Sequence, residues 1–192
     1  MARDATPRRE RRRLSHFDRG GRPRMVDVSE KPATARRAVA EAFVLLEQDT
    51  LSQIIDGDVI KGDVLTVAEL AGVMGGKRTA ELIPLCHPLA LTDLAVEIRP
   101  ERAAGGLRIR ASAATIGQTG VEMEALTAAA VAALTVYDMV KSLDRKAEIC
   151  DLRLLEKSGG KSGDWRRESA PVQPAQRPQR PPPGTRGPRR GG

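Results

Sequence analysis

The sequence predicts an α+β domain in which an antiparallel sheet carries its helices on one face. Two segments that alternate apolar and polar residues flank a glycine pair, which is typical of a β-hairpin. A long segment rich in Ala, Leu and Val follows them and predicts a buried helix. Since further strands and helices precede this unit, we expect one sheet with its helices packed on one side, and 192 residues suffice for one such domain.

The first predicted elements are strands. Residues 25–29 (MVDVS) alternate apolar and polar side chains and predict a strand that ends before Pro32. Residues 35–46 (ARRAVAEAFVLL) fit a helix by their alanine content and a strand by their apolar residues at every second position. We interpret them as a strand.

Two helices are predicted next. Residues 50–56 form a short helix that Gly57 ends, and residues 63–81 form a longer one with Asp63 as its N-cap. The glycine pair at 75–76 is expected to loosen this second helix.

The second half of the chain gives the hairpin and the central helix. Residues 91–100 and 106–115 alternate on either side of Gly105-Gly106 and predict an antiparallel pair. Residues 121–144 predict the helix, since acids at its start and a lysine near its end match the helix dipole. Residues 147–156 predict the last strand, and the glycine-rich loop SGGKSG follows them.

The basic charge of the chain lies in its ends. The net charge is +7, yet residues 1–13 carry +4 and residues 169–192 carry +5, which leaves −2 for residues 14–168. We therefore divide the chain into a disordered basic N-terminal tail, one domain over 14–168, and a disordered Pro/Arg/Gly-rich tail. The tails are either inert extensions or arms for acidic partners or nucleic acid.

Composition excludes several functional classes. Phe17, Phe43, Tyr137 and Trp165 are the only aromatic residues, too few for a surface that stacks nucleic-acid bases, so nucleic-acid binding by the domain is not expected. No apolar run is expected to reach the length of a membrane span, and no signal sequence is evident, so we expect a cytoplasmic protein with reduced cysteines.

Lysine is the first sign of chemistry. Arginine outnumbers lysine, and five of the seven lysines lie in segments with other polar residues, namely Lys61, Lys77, Lys141, Lys157 and Lys161. A lysine amine can neutralise phosphate or move protons, whereas the guanidinium of arginine stays protonated. Each lysine could equally be an ordinary surface residue, and SGGKSG either binds an anion or is a flexible loop.

Cys86 and His87 are placed by the sequence in a proline-flanked turn. Because His16 is the only other histidine, a zinc site is not expected, and no metal ligands are assigned. His87 is either a structural residue or an acid/base group.

The predicted central helix carries acidic residues near both of its ends. Glu124 and Asp138 share a face but lie about 21 Å apart along the axis, so they serve different sites or a site completed by a symmetric copy. Glu122 and Glu124 point about 200° apart, so at most one is expected to face such a site. Asp138 and Lys141, three residues apart, also fit a simple surface ion pair.

Four segments carry a resemblance to a known family. The segments KGDVL (61–65), KRTAELIPLCHPL (77–89), TGVEMEALTAAAVAALTVYDMVK (119–141) and LLEKSGGKSGDW (154–165) resemble the cyclic pyranopterin monophosphate synthase family of molybdenum cofactor biosynthesis. The similarity extends over residues 14–168. It implies a ferredoxin-like α+β subunit, a homohexamer built as a trimer of dimers, and active sites at the dimer interface.

The resemblance also implies a reaction and residue roles. The family converts 3′,8-cyclo-7,8-dihydro-GTP to cyclic pyranopterin monophosphate and releases pyrophosphate. Asp138, Lys141 and Lys61 resemble the catalytic residues. The residues that resemble the substrate-binding positions are Leu85, Cys86, His87, Met123, Glu124 and Lys157. No cofactor is implied, although Mg²⁺ would suit the substrate triphosphate.

Two other functions compete with this one. The first is a nucleotide-binding protein of the same fold without catalysis, which the full set of matching residues disfavours. The second is a binder of nucleic acid or acidic partners through the tails, whose affinity would depend steeply on salt.

Overall fold

The computed structural model describes residues 20–168, so the predictions for the two tails and for residues 14–19 lie outside the described residues. Residues 20–168 form five strands and four α-helices. In chain order they are β1 (Thr34–Leu45), α1 (Gln48–Asp56), α2 (Val64–Lys77), α3 (Thr79–Leu82), β2 (Leu91–Glu101), β3 (Gly106–Gly117), α4 (Glu122–Val140), β4 (Glu148–Ser158) and β5 (Trp165–Arg166).

The strands form one antiparallel sheet in the order β2-β3-β1-β4-β5. The α2 helix packs on α4 and β2, and α4 packs on β1, β3 and β4, so both lie against the sheet. The predicted α+β class with helices on one face is confirmed, and the order of the first four strands is that of a ferredoxin-like fold. The predicted last strand is followed by one more, the two-residue β5.

The ambiguous segment is a strand, as predicted. β1 lies between β3 and β4, and Ala38, Ala40, Ala42 and Val44 are buried at alternate positions. Its small residues suit a central strand because helices pack closely against that face.

Residues 25–29 are not a strand, so that prediction is wrong. The alternation has another cause: Val26 and Val28 line a cavity, while Met25, Asp27 and Ser29 are exposed. No ladder of backbone hydrogen bonds to a neighbouring strand forms along this stretch.

The predicted hairpin and helix ends are confirmed. β2 and β3 pair from Leu91–Thr115 to Glu101–Gly106, and Gly105 takes the left-handed conformation at φ 71°. Gly57 ends α1 at φ 78°, and the Asp63 carboxylate accepts a hydrogen bond from the Thr66 amide at the start of α2. The longer helix predicted to Glu81 is interrupted at Arg78, after which α3 begins.

Three glycines let α2 approach α4 closely. A Cβ on Gly75 would lie 2.6 Å from the Cγ2 of Val131, and one on Gly76 would lie 3.1 Å from the Cβ of Ala128. At Gly72 a Cβ would lie 2.9 Å from the carbonyl oxygen of Ala128. These glycines are therefore contact positions.

The α4 helix forms the centre of the core. Ten of its residues are buried, five of them alanines. With 19 residues and a mean hydropathy of 1.4, it is long and apolar enough to cross a membrane, contrary to the expectation from the sequence. Within this fold, its apolar composition matches its packing between the sheet and α2.

Candidate functional site

The C-terminal end of α4 carries a cluster of two lysines and one aspartate. The Nζ of Lys141 lies 2.5 Å from the Oδ1 of Asp138. The Nζ of Lys61, from the loop before α2, donates a hydrogen bond of 2.7 Å to the backbone oxygen of Asp138 and lies 4.0 Å from its Oδ2. We call these three residues the lysine–aspartate cluster. It brings together the three predicted catalytic residues.

The contacts within this cluster shift the pKa values of Asp138 and Lys141. The hydrogen bond from Lys141 lowers the pKa of Asp138, and the charges of Lys141 and Lys61 lower it further. The same hydrogen bond and the carboxylate charge raise the pKa of Lys141. Near neutral pH, Asp138 is therefore a carboxylate and Lys141 an ammonium, which suits phosphate neutralisation.

The other end of α4 borders a cavity of about 340 Å³. We call it the α4 N-terminal cavity. Its lining comes from the segment before β1, the turn after α3 and the start of α4. The lining residues are Val26, Val28, Lys31, Leu85, Cys86, His87, Leu89, Thr119, Gly120, Glu122, Met123 and Glu124. Five of the six predicted substrate-binding residues therefore lie at one place.

Glu124 is the most unusual residue of this lining. Its side chain is buried, 4% exposed, and its Oε2 has no hydrogen-bond partner. Burial raises the pKa of Glu124, and the charge of Glu122 raises it further. Burial also raises the pKa of the nearby Cys86 thiol, with a smaller effect from Glu124. A buried acceptor without a partner is costly, so this oxygen is suited to a donor group of a ligand.

Lys157, the sixth predicted binding residue, contacts the cavity through another residue. Its Nζ lies 3.0 Å from the Oε1 of Glu122 and 3.1 Å from the Oγ of Ser162. Ser162 belongs to the SGGKSG loop, in which three glycines take positive φ angles. The loop thus folds back onto Lys157.

Glu122 and Glu124 both line the cavity, so the prediction that at most one faces it is wrong. Glu122 is the first residue of α4, and the cavity surrounds the end of the helix rather than one side of it. The angular argument holds only inside a helix.

Within one chain, the lysine–aspartate cluster and the α4 N-terminal cavity lie at opposite ends of α4. Glu124 and Asp138 are 14 positions apart on the same helix, which corresponds to about 21 Å. Within residues 20–168, no group of three or more His, Cys, Asp or Glu residues could hold a metal ion.

A larger cavity of about 660 Å³ lies beside Glu41 of β1 and Arg108 of β3. The charged groups at its centre pair with one another. The buried Glu41 carboxylate pairs with Arg108 and Arg153, and Glu101 also pairs with Arg108. This network gives the buried Glu41 side chain two arginine partners, so the residues at the two ends of α4 are the better candidate site.

Two contributors were not among the predicted site residues. Lys31 lines the cavity, although it follows a segment predicted as a strand, and Ser162 of the SGGKSG loop contacts Lys157. The scarcity of lysine, with seven in the chain, is the signal that could have found Lys31.

Comparison with known proteins gives a consistent result. Residues 25–160 match the model of the MoaC family. Proteins of Brucella ovis and Brucella abortus named cyclic pyranopterin monophosphate synthase are 57% identical over 153 residues, which is 80% of this chain and 93% of theirs. The Brucella canis protein of the same name is 56% identical over the same shares.

Proposed function

The chain belongs to the MoaC family, and from this membership we propose that it is a cyclic pyranopterin monophosphate synthase of molybdenum cofactor biosynthesis. It converts 3′,8-cyclo-7,8-dihydro-GTP to cyclic pyranopterin monophosphate and releases pyrophosphate. The reaction makes it a lyase of the phosphorus–oxygen type, with a small-molecule substrate.

The observation that carries this function is the lysine–aspartate cluster. Ring opening and closure require proton transfers, and loss of pyrophosphate requires positive charge near the departing phosphates. In our proposal Lys141 and Lys61 supply protons or neutralise that charge. Asp138 keeps Lys141 protonated and in place, as the 2.5 Å contact between them supports.

The α4 N-terminal cavity binds the substrate in this proposal. The Oε2 of Glu124 accepts a hydrogen bond from an N–H group of the ligand, which would satisfy its missing partner. Leu85, Cys86, His87 and Met123 form the walls of the cavity. Lys157 takes part through Glu122 or by reaching a phosphate itself.

We further propose that a second copy of the chain completes the site. The separation of Glu124 and Asp138 argues for it, since one substrate cannot contact both ends of α4 within a single chain. Exposed apolar residues on the helices, such as Val67, Leu70 and Leu134, support association of copies. The assembly we propose is a homohexamer built as a trimer of dimers, in the cytoplasm.

We propose that no cofactor is required. Mg²⁺ would be held by the substrate triphosphate, since residues 20–168 contain no group of acidic side chains suited to a metal ion.

The experiment is incubation of the purified full chain with 3′,8-cyclo-7,8-dihydro-GTP, with pyrophosphate and the pterin product followed by mass spectrometry. We expect product from the wild type and at least a hundredfold less from Asp138→Asn and Lys141→Ala, since removal of such charged groups costs rates of about that size. Lys146→Ala is the matched control, because Lys146 forms an exposed ion pair with Glu47 and belongs neither to the lysine–aspartate cluster nor to the cavity lining. Absence of product from the folded wild type would overturn the proposal.

A further inference from the structure

The cavity of about 660 Å³ beside Glu41 opens on the face of the sheet opposite α4. In β1, Ala40 and Ala42 are buried in the core on which α4 packs, so Glu41 between them points to the other face. Five arginines, four glutamates and Leu155 line this cavity, which we call the sheet cavity. None of these residues belongs to the lysine–aspartate cluster or lines the α4 N-terminal cavity. The volume of the sheet cavity is within the range of small-molecule sites.

Three of the four glutamates pair with arginines of the same lining. The ion pairs are those of Glu41 with Arg108 and Arg153, of Glu101 with Arg108, and of Glu97 with Arg99. Their N–O distances are 2.5 to 3.3 Å. Because a positive charge compensates each of these acids at short range, they repel an incoming anion only weakly.

Arg110 of β3 is left without a carboxylate partner. In the sheet it lies directly between Glu41 of β1 and Glu97 of β2. Both acids form their ion pairs with other arginines of the lining. Among residues 20–168, the exposed Arg110 side chain has neither an ion pair nor a hydrogen bond. Its guanidinium group can therefore bind a ligand without breaking a contact of the protein.

Arg167 is held in place while its terminal nitrogens have no partner. Its Nε donates a 2.9 Å hydrogen bond to the carbonyl oxygen of Leu154, and its guanidinium carbon lies 5.6 Å from the centre of the Trp165 ring. Within the described part of the chain, no carboxylate pairs with it. A side chain that is ordered before the ligand arrives loses less conformational entropy when it binds.

Glu168 is the remaining acid of the lining, and among residues 20–168 it forms no ion pair. It opposes the charges of Arg110 and Arg167. The unpaired groups of the lining therefore carry a small excess of positive charge, which favours an anionic ligand and makes Glu168 a group that weakens its binding.

We propose that the sheet cavity binds a small molecule through an oxyanion group, that of a phosphate or a carboxylate, and that Arg110 and Arg167 hold this group. The planar guanidinium group presents pairs of N–H donors that match two oxygen atoms of such an anion. This site is independent of the proposed function, since it shares no residue with the two ends of α4.

The test is a fluorescence titration of the full chain at fixed ionic strength, with inorganic pyrophosphate as one probe and succinate as the other. Trp165 is the only tryptophan of the chain and contacts Arg167, so its emission reports on this site. We expect a saturable change with at least one probe, and the probe that binds more tightly identifies the oxyanion as phosphate or carboxylate. Absence of a saturable change with both probes would overturn the proposal.

Arg110→Gln is the decisive variant, because it leaves Trp165 and its contact with Arg167 in place. It should weaken the binding of the probe about tenfold, as expected for the loss of one charge-assisted contact. Glu168→Gln should tighten binding about twofold, since its exposed charge is screened. Arg102→Gln is the matched control: it removes a positive charge from an exposed position outside the lining and should bind like the wild type.

A second control separates this site from the α4 N-terminal cavity. Lys157 pairs with Trp165 between β4 and β5, so a probe bound at Lys157 could also change the fluorescence. We expect the change to persist in Lys157→Met and to weaken in Arg110→Gln. A change that is lost in Lys157→Met and unaltered in Arg110→Gln would overturn the proposal. The titration involves no turnover, so its outcome does not depend on synthase activity.

Discussion

Lys61 and Asp138 are 77 positions apart in the chain, and the Nζ of Lys61 donates a hydrogen bond of 2.7 Å to the backbone oxygen of Asp138. That oxygen belongs to the last turn of α4, where carbonyl groups lack partners within the helix. Lys61 thus supplies a partner to the helix end while its charge stays beside the Asp138 carboxylate. The loop before α2 and the end of α4 are held together by this contact.

Replacement of Lys61 by methionine removes both the donor and the charge. We expect turnover to fall about a hundredfold, since charge stabilisation by one such group has about that value. Pyrophosphate release under saturating substrate measures it, with Lys146→Met as control. Turnover within a factor of about two of the wild type would place Lys61 outside the chemistry.

Replacement of Asp138 by asparagine should shift the titration of Lys141. The Asp138 carboxylate raises the pKa of Lys141 above the ordinary 10.5, so the pKa of Lys141 should fall in Asp138→Asn. The ion pair between Asp138 and Lys141 stabilises the folded state fully between pH 3.8 and pH 10.5, the ordinary pKa values of the two groups. This stabilisation is lost as pH falls through the lowered pKa of Asp138, and also as pH rises through the raised pKa of Lys141. NMR titration of the lysine side chains measures the shift, and an unchanged Lys141 titration would contradict it.

Replacement of Glu124 by glutamine should stabilise the fold at neutral pH. Burial raises the pKa of Glu124 above 4.5, so its charged form is unfavourable in the folded state. The free energy of unfolding therefore falls as pH rises from the pKa of Glu124 in the unfolded chain through its higher pKa in the folded protein. Above the folded pKa, the full cost of burying the charged carboxylate is present. We expect about 1 kcal/mol or more of added stability at pH 8 and less at pH 4, with activity lost. Urea unfolding at both pH values tests this, and a pH-independent difference would contradict it.

Replacement of Gly75 by alanine should destabilise the protein, although helix propensity favours alanine by about 1 kcal/mol. The added Cβ would meet the Cβ of Val131 at 2.7 Å, which cannot move without the backbone of α4. We expect a loss of about 1–3 kcal/mol in urea unfolding. Val131→Ala should recover part of it in the double variant. A Gly75→Ala variant more stable than the wild type would contradict this prediction, because it would mean that Val131 can move to make room for the added methyl group.

The sequence predicted most elements because their signals were local. Asp63 caps a helix through its carboxylate, and Gly57 ends a helix because glycine readily takes a positive φ angle. The alternation of apolar and polar residues in β2 and β3 indicates a sheet with one face covered. Residues 25–29 show the limit, since Val26 and Val28 alternate as in a strand. Whether a neighbouring strand is present depends on distant segments, which alternation does not reveal.

The site was predicted from its residue types but not from its geometry. The resemblance supplied Asp138, Lys141 and Lys61, and the structure brings these three together. The contact of His87 with Val26 joins residues 61 positions apart, and its partner is a backbone oxygen that any residue could offer. Gly75-Gly76 was interpreted as a weakness of a helix because close packing against α4 is a property of the folded chain.

In the proposed assembly, the two ends of α4 act together across two copies of the chain. The most direct test mixes two inactive variants, Glu124→Gln and Lys141→Ala, under conditions that exchange subunits. A mixed pair contains one site with both changes and one with neither, so random exchange should restore about a quarter of wild-type turnover. Turnover that stays at the level of the separate variants, with exchange verified by native mass spectrometry, would contradict the claim.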